Sequence, residues 1–139
     1  VTTFWSVGEH CICCAKEANA RGLSKRLVLA CLLHDASECY MSDVPRPLKQ
    51  NMPVYQKIED NLLKVIYSKF LGTSLTAEEE LQIKVIDDDL LWYDLEVLLD
   101  EKQSIEKPKL CIDLDYTVRP FKMVEEEYLE IFKMFHVKH

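Results

Sequence analysis

Glycine is scarce in this chain: 3 in 139 residues, alongside 5 prolines. That scarcity excludes folds built on many tight turns and favours long helices separated by a few breaks. Positive charge is also short. Lys and Arg number 17 against 24 Asp and Glu, a formal net charge of −7, so no nucleic-acid duplex is expected as a partner. A small anionic substrate is still admissible, because a divalent cation can reverse the field of an acidic site. No apolar run reaches the roughly 20 residues needed to span a bilayer, so no membrane partner is expected. No secretory signal is visible. The chain also lacks an internal repeat, a low-complexity tract, a βαβ pattern and a glycine-rich phosphate loop.

What is present, 48% hydrophobic and 29% charged residues, describes a globular chain. The expectation is one domain over residues 1–139, burying roughly two-thirds of its unfolded surface. The chain opens on Val1, with residues that already lead towards a helix, so N-terminal sequence is expected to be missing. Of the six cysteines (11, 13, 14, 31, 39 and 111), five fall in predicted helices and Cys13 and Cys14 are adjacent. Without a secretory signal, reduced thiols and a cytoplasmic location are the expectation. Cys11 and Cys14 beside His10 have the look of half a zinc knuckle. No second cysteine pair follows, and helical packing explains their spacing.

Capping chemistry and apolar spacing predict an all-α fold. Ser6 or Thr3 can cap a first helix running to about Asn19, with Glu9 in capping-box position relative to Ser6 and Gly22 ending the segment. Ser24 caps a second helix, expected to run through His34 to near Tyr40, before Asp43 and two prolines halt it. A third spans Val54 to about Phe70, with Ile58, Leu62, Val65 and Ile66 as its buried stripe and Gly72 beyond it. Thr76 and Glu79 form a capping box for a fourth, Ala77 to about Leu99, carrying Leu81, Ile86, Leu90, Leu91, Leu95 and Leu98. Residues 102–115 read as a loop. A last helix starts near Val118 or Pro120 and presents Val124, Tyr128, Ile131, Phe132 and Phe135.

The chemistry concentrates in His34-Asp35-Ala36-Ser37-Glu38, followed by Asp43-Val44-Pro45-Arg46-Pro47-Leu48-Lys49. Adjacent helical side chains point about 100° apart, so His34 and Asp35 can grip one ion from neighbouring directions, with Glu38 one turn on. Asp87, Asp88 and Asp89 sit among apolar residues in mid-helix, so at least one must face inward and needs a cationic partner. Asp87 shares a face with Ile83, Leu90, Leu91 and Asp94. With His10, these residues offer two imidazoles and two carboxylates from three helices. Such a mixed N/O set suits a catalytic divalent metal such as Mn²⁺, Co²⁺, Zn²⁺ or Fe²⁺, with Mg²⁺ also a candidate.

The order His10 … His34-Asp35 … Asp87 resembles the H…HD…D signature of the HD-domain metal-dependent phosphohydrolases. The run from His34 to Lys49, with Ser6-Val7-Gly8-Glu9-His10 ahead of it, is similar to the branch holding bacterial 5′-deoxynucleotidases and phage-type relatives. The resemblance extends from about Ser6 to Leu99. It implies an HD-type helical bundle of about five to six helices that cleaves a phosphate monoester, most simply a (deoxy)nucleoside 5′-monophosphate, with metal-activated water. By resemblance the ligands are His10, His34, Asp35 and Asp87. Glu38 is implied to contact phosphate-bound water or to transfer the proton, and Asp43 to lie near the sugar or to act as general acid for the departing oxygen. Both proton-transfer roles require a carboxyl group within hydrogen-bond reach of the reacting atoms.

That branch holds phosphate with an arginine upstream of the first histidine. None precedes His10 here, so either missing N-terminal sequence carried it or the substrate differs, with Arg46 a candidate substitute and Lys49 a candidate second phosphate contact. An Asp-x6-Glu pattern of the family aligns with Asp87 and Asp94 or with Asp89 and Glu96, so Asp88 and Asp89 stay open beside Asp87. Alternatives are hydrolysis of nucleoside triphosphates or signalling nucleotides, or a non-catalytic metal- or nucleotide-binding regulatory domain. Asp43 equally fits a turn residue before Pro45, and Lys49 a solvated loop lysine. Trp92 and Tyr93 fit a homodimer seam or ordinary bundle packing.

Overall fold

The computed structural model describes residues 7–36, 53–99 and 106–137, without the side chains of Tyr55, Leu98 and Leu99. Among them the architecture is all-α, with five helices: α1 Val7–Ala20, α2 Lys25–Leu33, α3 Pro53–Leu71, α4 Ala77–Leu99 and α5 Phe121–Phe135. Local chemistry sets their ends. Gly22, at φ +82°, closes α1: its N–H donates to the Asn19 carbonyl at 3.0 Å and Leu23 N–H to the Ala18 carbonyl at 3.1 Å. This paired closure needs the left-handed backbone that glycine adopts without a Cβ clash. Ser24 Oγ accepts Leu27 N–H at the start of α2. At α4, Thr76 Oγ1 accepts Glu79 N–H at 3.1 Å while Glu79 Oε1 accepts Thr76 N–H at 3.0 Å, the reciprocal pair that the sequence predicts.

Helix α2 is the centre of the bundle. All residues from Leu27 to Leu33 are buried, and α2 packs against each of the other four helices. A helix apolar around its whole circumference has no face to give to water. Its closest neighbour is α1, which contributes Ile12, Cys14, Ala15 and Ala18 to the shared core. From α5, the Tyr128 hydroxyl donates to the Leu32 carbonyl at 2.8 Å.

Three sequence expectations are corrected. Helix α2 ends at Leu33, not near Tyr40: His34 and Asp35 form a turn and residues 37–40 lie outside the described part. The His34 ring takes the Cys31 carbonyl, which a continuing α-helix would offer to the backbone four residues on. On α3, Ile58 and Val65 are 52% and 63% exposed, and the buried residues are Ile66, Tyr67 and Leu71. On α4, Leu81 is 62% exposed, whereas Ile83, Ile86 and Leu90 are buried. The apolar face expected for α5 is buried or half-buried throughout.

Residues 106–120 carry no regular secondary structure and are tied to the bundle by polar contacts. Glu17, fully buried on α1, accepts the N–H groups of Cys111 at 2.8 Å and Ile112 at 3.1 Å, together with Arg21 Nε at 2.5 Å. Arg21 also reaches Asp89, and Tyr93 donates its hydroxyl to the Pro108 carbonyl. Among the described residues, no helix is long and apolar enough to cross a membrane. Removing Glu17 strands two backbone donors and a guanidinium. Glu17→Ala should therefore lose about 3 kcal/mol in urea unfolding and speed amide exchange at Cys111 and Ile112. Lys16→Ala, which breaks only the surface pair with Glu127, should lose less than about 1 kcal/mol. Equal losses in the two variants would refute the anchoring role of Glu17.

Candidate metal centre

Three elements converge beside the central helix. The first turn of α1 supplies His10, the turn after α2 supplies His34 and Asp35, and the middle of α4 supplies Asp87. Asp87 Oδ1 lies 2.6 Å from His10 Nε2 and 3.0 Å from His34 Nε2. Asp35 Oδ2 lies 3.2 Å from the same His34 nitrogen.

Both imidazoles are oriented from behind. His10 Nδ1 donates to Asp94 Oδ2 at 2.9 Å, and the Tyr116 hydroxyl donates to the other Asp94 oxygen at 2.7 Å. His34 Nδ1 donates to the Cys31 carbonyl at 2.5 Å. With Nδ1 committed on each ring, Nε2 is the atom offered to the centre, the arrangement by which protein-bound metals have their histidines fixed.

Two ligand groups result, each with its ligand atoms within 4.8 Å of one another and with His34 common to both. One contains His10, Cys14, His34 and Asp87; the other contains Cys11, His34 and Asp35. The four expected residues are thus brought together, with Asp35 joined to the rest through His34. The open register on α4 resolves geometrically. Asp87 faces the histidines, Asp88 points outward within 3.7 Å of Lys84, and Asp89 accepts from Arg21. Glu38, Asp43, Arg46 and Lys49 lie outside the described residues.

Sequence reasoning gave Cys14 to packing and made no use of Tyr116 or of Asp94 as a supporting carboxylate. Only Asp94 carried a signal, its place two turns from Asp87 on one face. A cavity of about 500 Å³ borders His34 and Asp87, with Tyr67, Lys64 and Lys84 on its walls.

Burial alone would lower both imidazole pKa values, but hydrogen bonds outweigh it. His10 is raised above its ordinary 6.5 by Asp87 and Asp94, and His34 by Asp35 and Asp87. Burial pushes the two carboxylates up, yet Asp87 is pulled below its ordinary 3.8 by His10 and His34, and Asp35 by His34. A raised imidazole contributes stability that is full below the unfolded pKa and is lost as pH rises through the folded one. A depressed carboxylate contributes stability that is full above the unfolded pKa and is lost as pH falls through the folded one. Both contributions are complete between about pH 4 and 6.5. Chelator-treated protein should therefore lose roughly 5–10 °C of Tm between about pH 6.5 and 8. A saturating divalent cation, competing with protons for both Nε2 atoms, should flatten or invert that slope in the same thermal scans. A flat profile in chelator would contradict the charge arrangement.

No protein-family model matches the chain, and no solved structure matches it. Among curated proteins, the chain is similar to an uncharacterized protein, YfdR, of Escherichia coli (strain K12). The two are 33% identical over 67 residues, which is 48% of this chain and 35% of that protein. The matched part of the chain therefore spans about a third of the relative's length.

Proposed function

We propose that the chain is a metal-dependent phosphohydrolase that cleaves a phosphate monoester, most simply a (deoxy)nucleoside 5′-monophosphate. The observation that supports this reading is the meeting of His10, His34 and Asp87, with Asp35 attached, at the edge of a cavity that also carries Lys64 and Lys84. Two imidazoles and two carboxylates fit a divalent cation of the Mn²⁺, Co²⁺, Zn²⁺, Fe²⁺ or Mg²⁺ group. Bound there, such an ion supplies Lewis acidity and lowers the pKa of coordinated water.

The protein's own contribution is positional. Tyr116 and Asp94 hold the His10 ring, and the Cys31 carbonyl holds that of His34. Lys64 and Lys84 bring positive charge to a wall where a phosphate can sit, and Asp60 and Glu80 on the same cavity can accept hydrogen bonds from sugar hydroxyls. Proton-transfer roles for Glu38 and Asp43, and phosphate contacts by Arg46 and Lys49, rest on the family resemblance alone.

Chelator-stripped protein resupplied with each cation should release inorganic phosphate from one or more nucleoside monophosphates. His34→Ala and Asp87→Asn should each cut that rate at least about 100-fold and Tyr116→Phe about 10-fold, while Asp88→Asn should leave it unchanged. Release of pyrophosphate or triphosphate from nucleoside triphosphates would move the substrate class and keep the hydrolase. Cation and nucleotide binding without any product would overturn the hydrolase reading in favour of a regulatory binding domain.

A further inference from the structure

We propose that Cys14 is a thiolate ligand of this centre and makes it selective for thiophilic divalent cations, Zn²⁺, Co²⁺ and Fe²⁺, over Mg²⁺ and Mn²⁺. The inference rests on the metal-centre reading and adds a ligand that the HD-type signature does not contain.

Cys14 follows His10 by four residues on α1, so the two side chains lie over one another on the same face. Its Sγ is 3.5 Å from His10 Nε2, the nitrogen that faces Asp87 Oδ1. Neighbouring ligand atoms bound to one ion at about 2.0–2.3 Å lie roughly 3.3–3.8 Å apart in tetrahedral geometry. The sulfur–nitrogen distance falls in that interval. Asp87 Oδ1, in contrast, is at hydrogen-bond distance from His10 Nε2 (2.6 Å) and His34 Nε2 (3.0 Å), and an ion entering would part them.

The contrast with the other thiols is informative. Cys31, also fully buried, belongs to neither ligand group and is a core residue. Cys11 stands with His34 and Asp35, 4.0 Å from Asp35 Oδ2, in a group that lacks His10 and Asp87. Cys111 is exposed. Cys14 alone among these stands with two imidazoles and a carboxylate.

As the sulfur–metal bond forms, the thiol proton passes to solvent and no electron is transferred. A sulfur added to the two imidazoles and the carboxylates of Asp87 and Asp35 shifts the set towards borderline-soft cations, whereas Mg²⁺ and Mn²⁺ prefer all-oxygen ligation. Catalysis then needs a position left open to substrate, and the cavity lined by His34 and Asp87 borders the centre.

The test is electronic absorption of the full chain loaded with Co²⁺, with stoichiometry from equilibrium dialysis. The expected result is one ion per chain and a near-ultraviolet thiolate-to-cobalt band. Cys14→Ser should lose that band while retaining the visible cobalt bands, and its preference for Zn²⁺ over Mn²⁺ should fall about tenfold or more. Cys111→Ser should retain the band.

Cobalt bound without a thiolate band, or a band that survives Cys14→Ser and disappears in Cys11→Ser, would overturn the assignment and leave the metal centre standing. Failure of the unaltered protein to bind Co²⁺ or Zn²⁺ at all would overturn the centre itself. Should Cys14→Ser not fold, cadmium NMR of the unaltered protein decides, because the shift reports directly whether sulfur is bound.

Discussion

The pairing of buried charge along α1 is the constraint on which the rest of the structure depends. That helix turns Glu9, His10 and Glu17 inward along with its apolar residues, and an unpaired ion in such a position would cost several kcal/mol. Each has its partner in another part of the chain. Glu9 lies within 3.4 Å of Arg119, His10 bridges Asp87 and Asp94, and Glu17 takes two loop amides and Arg21. The irregular segment 106–120 is thereby placed without a helix of its own. It delivers Tyr116 to Asp94, so the contacts that satisfy the core also orient the candidate centre.

Elements whose signals are local were legible in the sequence. Ser24, Thr76 with Glu79, Gly22 and Gly72 mark helix ends through interactions spanning only a few residues, and the structure has each at its helix boundary. Which side of a helix faces inward is a different kind of property. Ile58, Val65 and Leu81 satisfy helical periodicity as well as their buried neighbours do, yet are exposed. The positions of α2, and for α4 of α1 as well, decide which apolar stripe is covered, and periodicity carries no information about that. Glu17, Tyr116 and Arg119 were illegible for a related reason: their roles are contacts between a helix and an aperiodic segment far away in sequence.

The acidic triplet on α4 stands between these cases. Helical geometry requires three consecutive carboxylates to point in three directions, and the apolar surroundings require one to face inward. Sequence could not say which without knowing where positive partners stand. In the structure Arg21, anchored on Glu17, claims Asp89, while Lys84 lies one turn before Asp88 on the outside. Asp87 is left to the histidines. Assignment of the inward carboxylate is thus a consequence of how α1 and the 106–120 segment are held, and is not a property of α4 alone.

The early end of α2 bears on how the centre can work. His10 and Asp87 stand within regular helices, where packing fixes the backbone and leaves only side-chain torsions. His34 and Asp35 stand in the turn immediately after α2. On a continuing helix their side chains would approach an ion from directions about 100° apart. In the turn, Asp35 Oδ2 instead lies within 3.2 Å of His34 Nε2, so two consecutive residues address the same point. If a cation is bound, His10 and Asp87 on the rigid α1 and α4 would define its place, and the His34–Asp35 pair on the turn could follow differences in its radius and coordination number. A centre built this way can accept several divalent cations by geometry. Discrimination among them then falls to donor chemistry, which is the step at which a sulfur beside His10 matters most.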